Sequence, residues 1–288
     1  MRPDVSQRAL DLMDVRTAIV AHVINETNAR PLSLDGWRFS SGDVLEREGA
    51  MVPETVLPVW PAFSLALSIN HILRELDLSD CAMGSQGFTH LSVGLRANKS
   101  ISTLSLARNN LGVKSGGTLE ALLRANSSIT SLDLSSNGLQ DRGVSQLASG
   151  IAATLVYNTS LRHLNLRDNA IRVEGALELG CAMKMDTVKI TSLDISLNPL
   201  GSLGVSHLVD PIFLGRPMVT FKASDCQIGM EGIIKVAEAV GVSTSLSALS
   251  LSNTRKQIAG GQKFANEIDD IAASILAEAG TNSAKYSL

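Results

Sequence analysis

The apolar positions of this chain alternate between two periods. In "ITSLDLSSNGLQDRG" (Ile129–Gly143) leucines alternate with polar residues, as on a half-buried strand. The apolar residues that follow, Leu147 and Ile151, come four apart, as on one face of a helix. The same succession begins again at Leu73, Ile101, Leu161, Ile190, Met218 and Leu246. In chain order the seven starts are 28, 28, 32, 29, 28 and 28 residues apart. With the first apolar residue of each copy as position 0, the pattern is L-x-x-L-x-L-x-x-N-x-L, then glycine at position 14 and apolar residues at 18 and 22. Each copy predicts one short strand, a turn and one helix. Such a unit cannot bury its own apolar face, so neighbours must stack. Stacking puts the strands in one parallel sheet and the helices behind it. A helix is wider than the strand spacing, so the stack bends with the strands inside. The expected fold class is α/β, a curved solenoid (a horseshoe) of about seven to eight repeats, with parallel strands on the concave face and helices on the convex face.

Repetition also assigns most of the polar residues. Position 8 holds Cys81, Asn109, Asn137, Asn169, Asn198, Cys226 and Thr254. A small polar group there can satisfy backbone amides and carbonyls where the strand turns away. Cys81 and Cys226 are therefore read as structural, and Cys181, in a helix near Met183, as core. Position 14 holds Gly87, Ser115, Gly143, Gly175, Gly204, Gly232 and Gly260; Gly143 is read as opening its helix, with Asp141 and Arg142 in the turn before it. "ANKS", "ANSS" and "YNTS" each end a helix, so Asn98, Asn126 and Asn158 are expected as left-handed or C-cap residues rather than glycosylation sites.

The 28-residue period with a full helix per unit resembles the ribonuclease-inhibitor type of leucine-rich repeat. The resemblance covers about Leu73 to Ala279. It implies a horseshoe that binds other proteins. It extends to ribonuclease inhibitor, NOD-like receptors, tropomodulins, Ran GTPase-activating proteins and many protist cytoskeletal or flagellar proteins.

The ends depart from the pattern. Residues 1–72 are expected to form an N-terminal cap: a helix over residues 5 to 25, a degenerate first repeat in "RPLSLDGWRF" with Leu32 and Leu34 at the strand places, and an irregular loop at 40 to 60. Trp60 either seals the core of that cap or stands exposed as a binding anchor. Residues 73–280 are the repeats. Residues 281–288 read as a C-terminal cap or the start of a further strand, in one continuous domain.

Composition changes this picture little. A net charge of −3 gives no electrostatic footprint for nucleic acid. No window approaches 18 unbroken apolar residues, so no membrane span is expected. The three cysteines make no disulfide framework, and the first residues lack the order of a signal peptide, which together favour a cytoplasmic protein. There is no Walker A sequence, no HExxH and no His beside a Ser or Cys nucleophile in a recognisable motif, so the expectation is a protein without enzymatic activity, cofactor, metal or small-molecule substrate. "GVKSGG" at Gly112 lacks GK[ST] and falls in a repeat turn.

What remains is the strand face. Position 4 holds Asp77, Ser105, Asp133, Asn165, Asp194, Lys222 and Ser250, and His163, Arg108 and Arg167 lie beside that row. Together with Trp60 these are the candidate partner-binding residues. The row is mildly acidic and lacks the Trp and Tyr of tight interfaces, so a protein partner of basic character is expected. Within "ITSLDLSSNGLQDRG", Asp133 with Ser131 and Ser135 is the part left free for a partner. The resemblance suggests a scaffold in a cytoskeletal or flagellar assembly. Two alternatives stand beside it: a GTPase activator resembling the Ran-directed class, with Arg108 as the residue to test, and a ligand-sensing domain of a larger receptor-like protein.

Overall fold

A computed structural model describes residues 32–33, 59–152, 160–253 and 266. The elements, in chain order, are β1 (Leu32–Ser33), α1 (Val59–Ile69), β2 (Glu75–Asp77), α2 (Gly84–Ala97), β3 (Thr103–Ser105), a 3₁₀ turn (Val113–Ser115) leading into α3 (Gly116–Ala125), β4 (Ser131–Asp133), α4 (Gln140–Ala152), β5 (His163–Asn165), α5 (Val173–Met183), β6 (Ser192–Asp194), α6 (Gly201–Phe213), β7 (Thr220–Lys222), α7 (Met230–Val242) and β8 (Ala248–Ser250). The strands form one parallel sheet in sequence order, β1 to β8, and the sheet does not close on itself. Each helix lies against the next, so sheet and helices make two layers of a solenoid with the apolar core between them.

The register follows from the leucines. Leu32, Leu76, Leu104, Leu132, Leu164, Leu193, Phe221 and Leu249 are cross-strand partners in one unbroken row. From Leu76 onward every one of them is buried. A slip by one residue would turn this row to solvent, so burial pins the register. The pairing continues past the strands: Leu78 donates to the Ser105 carbonyl and Asp80 to that of Ala107, and the same bonds recur from repeat to repeat.

The turn after each strand has a fixed shape. Position 7 is left-handed at Asp80, Arg108, Ser136, Asp168, Leu197 and Asp225, and position 9 at Ala82, Asn110, Gly138, Ala170 and Gln227. The exception at position 9 is Pro199, whose ring fixes a negative φ. There the Leu200 amide donates to the Asn198 carbonyl at 2.8 Å.

Several sequence expectations are corrected. Helix α4 begins at Gln140, so Asp141 and Arg142 lie in its first turn rather than before it. The position-14 glycines do not open helices; they sit where neighbouring helices touch. A Cβ on Gly87 would lie 2.7 Å from the Trp60 ring, and one on Gly175 would lie 3.0 Å from the Asp141 Cα. Cys181 is exposed, because the buried stripe of α5 runs through Ala176, Leu179, Ala182 and Met183 and leaves position 181 outside it. Asn98 and Asn126, by contrast, are the C-caps expected, with extended backbones (ψ 134° and 124°). Their side chains tie repeats together: Asn98 Nδ2 donates to the carbonyls of Leu67 and Asn70, and its Oδ1 accepts the amides of Ser100 and Ile101. The helix proposed for residues 5 to 25, the loop to residue 58, Asn158 and the closing residues 281–288 lie outside the described residues.

Candidate interaction surface

Two ladders of side chains run across the strand exits. The inner one is position 8. Asn109, Asn137, Asn169 and Asn198 are buried. Each uses Oδ1 to accept two amides of the preceding repeat. Asn137, for example, receives those of Asn109 and Leu111 at 3.0 and 3.3 Å. Its Nδ2 donates to the carbonyls of Leu106, Leu134 and Ser135. Cys81 and Cys226 occupy the same place and are buried, and the Cys226 thiol donates to the Ile195 and Ser224 carbonyls. Burial pushes that thiol up to about 12, since a thiolate there would be desolvated.

In the last repeat the ladder is continued by Asn266, not by Thr254. Asn266 Oδ1 accepts the amides of Cys226 and Ile228, and its Nδ2 donates to the carbonyls of Ala223 and Leu251, four of the five bonds that define position 8 elsewhere. Asn253 holds the place closed: its Nδ2 donates to the Asn266 carbonyl and its Oδ1 accepts the Asn266 amide at 2.7 Å. Residues 254–265 are therefore an insertion between positions 7 and 8. The signal in the sequence was Asn266-Glu267-Ile268, a second copy of the N-x-L signature.

The outer ladder is position 4, the candidate surface. The register carries it from Ser33 through Asp77, Ser105, Asp133, Asn165, Asp194 and Lys222 to Ser250, one per strand. The structure thus brings these candidates into one row, with His163 exposed on β5 and Arg108 exposed at the turn after β3. It also shows that the acids have local work. Asp77 Oδ1 accepts the Ser79 amide and hydroxyl, Asp133 Oδ1 the Ser135 amide at 2.8 Å, and Asp194 Oδ1 the Ser196 amide. These bonds from side chain to the amide two residues on cap the strand exit. Asn165 does the same for Arg167, and its Nδ2 donates to Asp133 Oδ2 at 3.0 Å. Asp133 is consequently not free, with both oxygens engaged. Lys222 lies 3.9 Å from Asp194, with its side chain half exposed. Hydroxyls close the ends of the row: Ser79 pairs with Ser105 at 2.7 Å and Ser224 with Ser250 at 2.9 Å.

Trp60 is not part of the surface. It is 4% exposed, and its indole fills the space that Gly87 leaves open on α2. It seals the first core layer, so the exposed-anchor alternative is overturned. Among the described residues no helix is long and apolar enough to cross a membrane.

Fold and repeat define a leucine-rich-repeat solenoid. The leucine-rich-repeat family model matches residues 70–91, 125–148, 157–180 and 188–209, each of which contains one strand-to-turn unit. No curated protein matches the chain in sequence. Among solved structures, the chain is similar to leiomodin-1 actin-binding site 2, at 12% identity over 92% of this chain and 89% of that one, with a TM-score of 0.28. A score of that size leaves the neighbour's binding partner without bearing on this chain.

Proposed function

We propose that the chain is a non-enzymatic protein-interaction module that binds a protein partner across the solvent-facing side of its parallel sheet. One observation carries this reading: the row at position 4 crosses eight strands in unbroken register, with mostly polar residues at positions 2 and 6 on either side of it. An extended, rigid surface of that kind suits a partner that spans several repeats. The candidate contacts are Asp77, Asp133, Asn165, Asp194, Lys222, His163, Arg108 and Arg167. The setting proposed for it, on the resemblance stated above, is a cytoskeletal or flagellar assembly.

The experiment blocks one face at a time. Thr103→Arg with Ser192→Arg places bulk on the strand face. Leu203→Arg, at an exposed position of α6, places it on the helix face. Partner captured from the native cells by immobilised wild type is expected to be lost with the strand-face pair and kept with the helix-face variant. The opposite result assigns binding to the helices and removes the proposal.

A further inference from the structure

We infer that the side of the solenoid where the chain enters its strands is a contact surface for an anionic phospholipid bilayer, on which the protein lies without crossing it. The strand face is a different surface, so this stands apart from the protein-binding reading above. The strands are parallel and in register, so the helix-to-strand connectors lie on one side and the strand-to-helix turns on the other. Backbone bonds tie the connectors into a row: the amides of Ser102, Thr130, Arg162, Thr191, Val219 and Ser247 each donate to the carbonyl at the same place one repeat earlier. The two sides differ in two independent ways. The first is apolar exposure. On the connectors Ile69, Met185, Phe213, Leu214, Val219 and Val242 are left 39% to 59% exposed. On the strand-exit side Leu203 is the one large apolar side chain so exposed among the described residues. The second is charge. The connectors (residues 68–74, 96–102, 124–130, 152–162, 184–191, 213–219 and 241–247) hold eight Lys and Arg and one acid, Asp186. Adding the nearest acids, Glu75, Glu120 and Asp210, leaves eight cations against four acids. Glu238 is balanced by Lys235 on α7. The turns of the other side (residues 79–86, 107–114, 135–142, 167–174, 196–203 and 224–231) hold five cations against six acids.

The charge by itself has a local reason. A cation suits the C-terminus of a helix, and Lys99 donates to the Ala125 carbonyl at 2.9 Å. The apolar side chains have no such reason to stand in water. Five of them, Met185, Phe213, Leu214, Val219 and Val242, fall on three successive connectors, with Lys184, Lys189 and Arg216 among them. Further cations, Arg74, Arg96, Lys99, Arg124 and Arg162, extend the same side toward the first repeats, where Ile69 adds another apolar tip. Apolar tips beside a row of cations match the two layers of a bilayer surface. The tips enter the boundary between headgroups and acyl chains, and the cations stay level with the anionic headgroups. A nucleic acid would take up the cations and leave the aliphatic tips in water. A bilayer is also continuous over the whole side, so connectors from successive repeats meet it together. Among the described residues no helix is long and apolar enough to cross it, so the contact is superficial.

The test is sedimentation of the full chain with vesicles of equal parts phosphatidylcholine and phosphatidylserine, against vesicles of phosphatidylcholine alone, at low ionic strength. Net charge is −3, so general attraction does not draw the protein to an anionic surface. The wild type is expected to bind the phosphatidylserine vesicles at least tenfold more tightly than the neutral ones, and added salt should weaken that binding. Leu214→Ser with Val242→Ser removes two tips and no charge, and is expected to weaken it several-fold. Arg96→Glu with Lys99→Glu is expected to weaken it at least tenfold. Leu203→Ser with Lys114→Glu makes both kinds of change on the strand-exit side and should leave it unchanged. Circular dichroism on each variant reports the fold. Equal binding to the two kinds of vesicle, no binding by the wild type, or equal losses from changes on the two sides would each overturn the inference. A wild type that ignores the vesicles but holds an octaglutamate peptide or an RNA oligonucleotide through Arg96 and Lys99 would also overturn it, and would assign this side to a soluble polyanion. Partner capture by the strand face is a separate measurement, and none of these outcomes alters its result.

Discussion

In four of the repeats one buried asparagine answers for five polar backbone groups. Asn137 receives two amides and donates to three carbonyls while almost wholly buried. Asn137→Ala leaves the Asn109 and Leu111 amides buried without that acceptor, and each orphaned group costs roughly 1–3 kcal/mol. Urea unfolding should therefore show a loss of about 3–5 kcal/mol; a loss below about 1 kcal/mol would mean that water or a backbone shift replaces the side chain. The importance of this residue was legible in the sequence, because the same place recurs and Cys stands in for Asn there. Cys226 makes a separate prediction. Its folded thiol titrates at about 12 against 9.0 unfolded, so the folded state holds the proton that the unfolded state releases. Its stabilising contribution is complete below about pH 9 and is lost as pH rises toward 12. Between pH 8 and 10.5 the wild type should lose about 2 kcal/mol more than Cys226→Ser. Equal losses would show that the thiol is not held neutral. The capping role of Asp133 was less legible, since a lone Asp looks the same whether it faces solvent or accepts an amide two residues on.

At the scale of elements, the alternation of periods two and 3.6 marks the strands and helices, because burial imposes it locally. How closely helices approach one another was not legible, since it depends on a neighbour about 28 residues away. Gly94 shows this. A Cβ there would run into the carbonyl of Ser64 in α1, and the Gly94 amide donates to the Ser64 hydroxyl at 2.8 Å. Gly94→Ala must push α1 and α2 apart and should cost about 2–3 kcal/mol. Gly241, near the end of α7, has no atom within 4 Å of a built Cβ, and alanine there restricts the unfolded chain. Gly241→Ala should stabilise by about 0.5 kcal/mol. Thermal unfolding of the two variants should move the midpoint in opposite directions. Two downward shifts would mean that glycine in these helices is needed for something other than close packing. Cys181 shows the limit of nearness in sequence: two residues before the buried Met183 it lies on the other side of α5, outside the buried stripe.

Across the whole molecule, the repeat sets a frame that an insertion can interrupt without breaking. The period lengthens to 32 between Ile129 and Leu161, and a far larger interruption of twelve residues separates Asn253 from Asn266. Counting straight on from Leu246 puts Thr254 at position 8 and Gly260 at position 14. The hydrogen bonds of Asn266 place it at position 8 instead. These two registers make opposite predictions for the variant lacking residues 254–265. If Thr254 held the ladder, the deletion would remove the buried cap and the glycine contact of the last repeat, and the C-terminal edge would unfold. With Asn266 in the ladder, the deletion joins Asn253 directly to Asn266, the succession of positions 7 and 8 seen in every preceding repeat. Their two side chain-to-backbone bonds already bring the ends together. Constraining a twelve-residue connection between fixed ends costs roughly 2 kcal/mol of chain entropy, so with Asn266 in the ladder the deletion is expected to leave stability equal or higher. Circular dichroism of the deletion variant should match the wild type, and its thermal midpoint should be equal or higher. Asn266→Ala in the intact chain should lower the midpoint as Asn137→Ala does. A deletion variant that melts earlier than Asn266→Ala would return the ladder to Thr254.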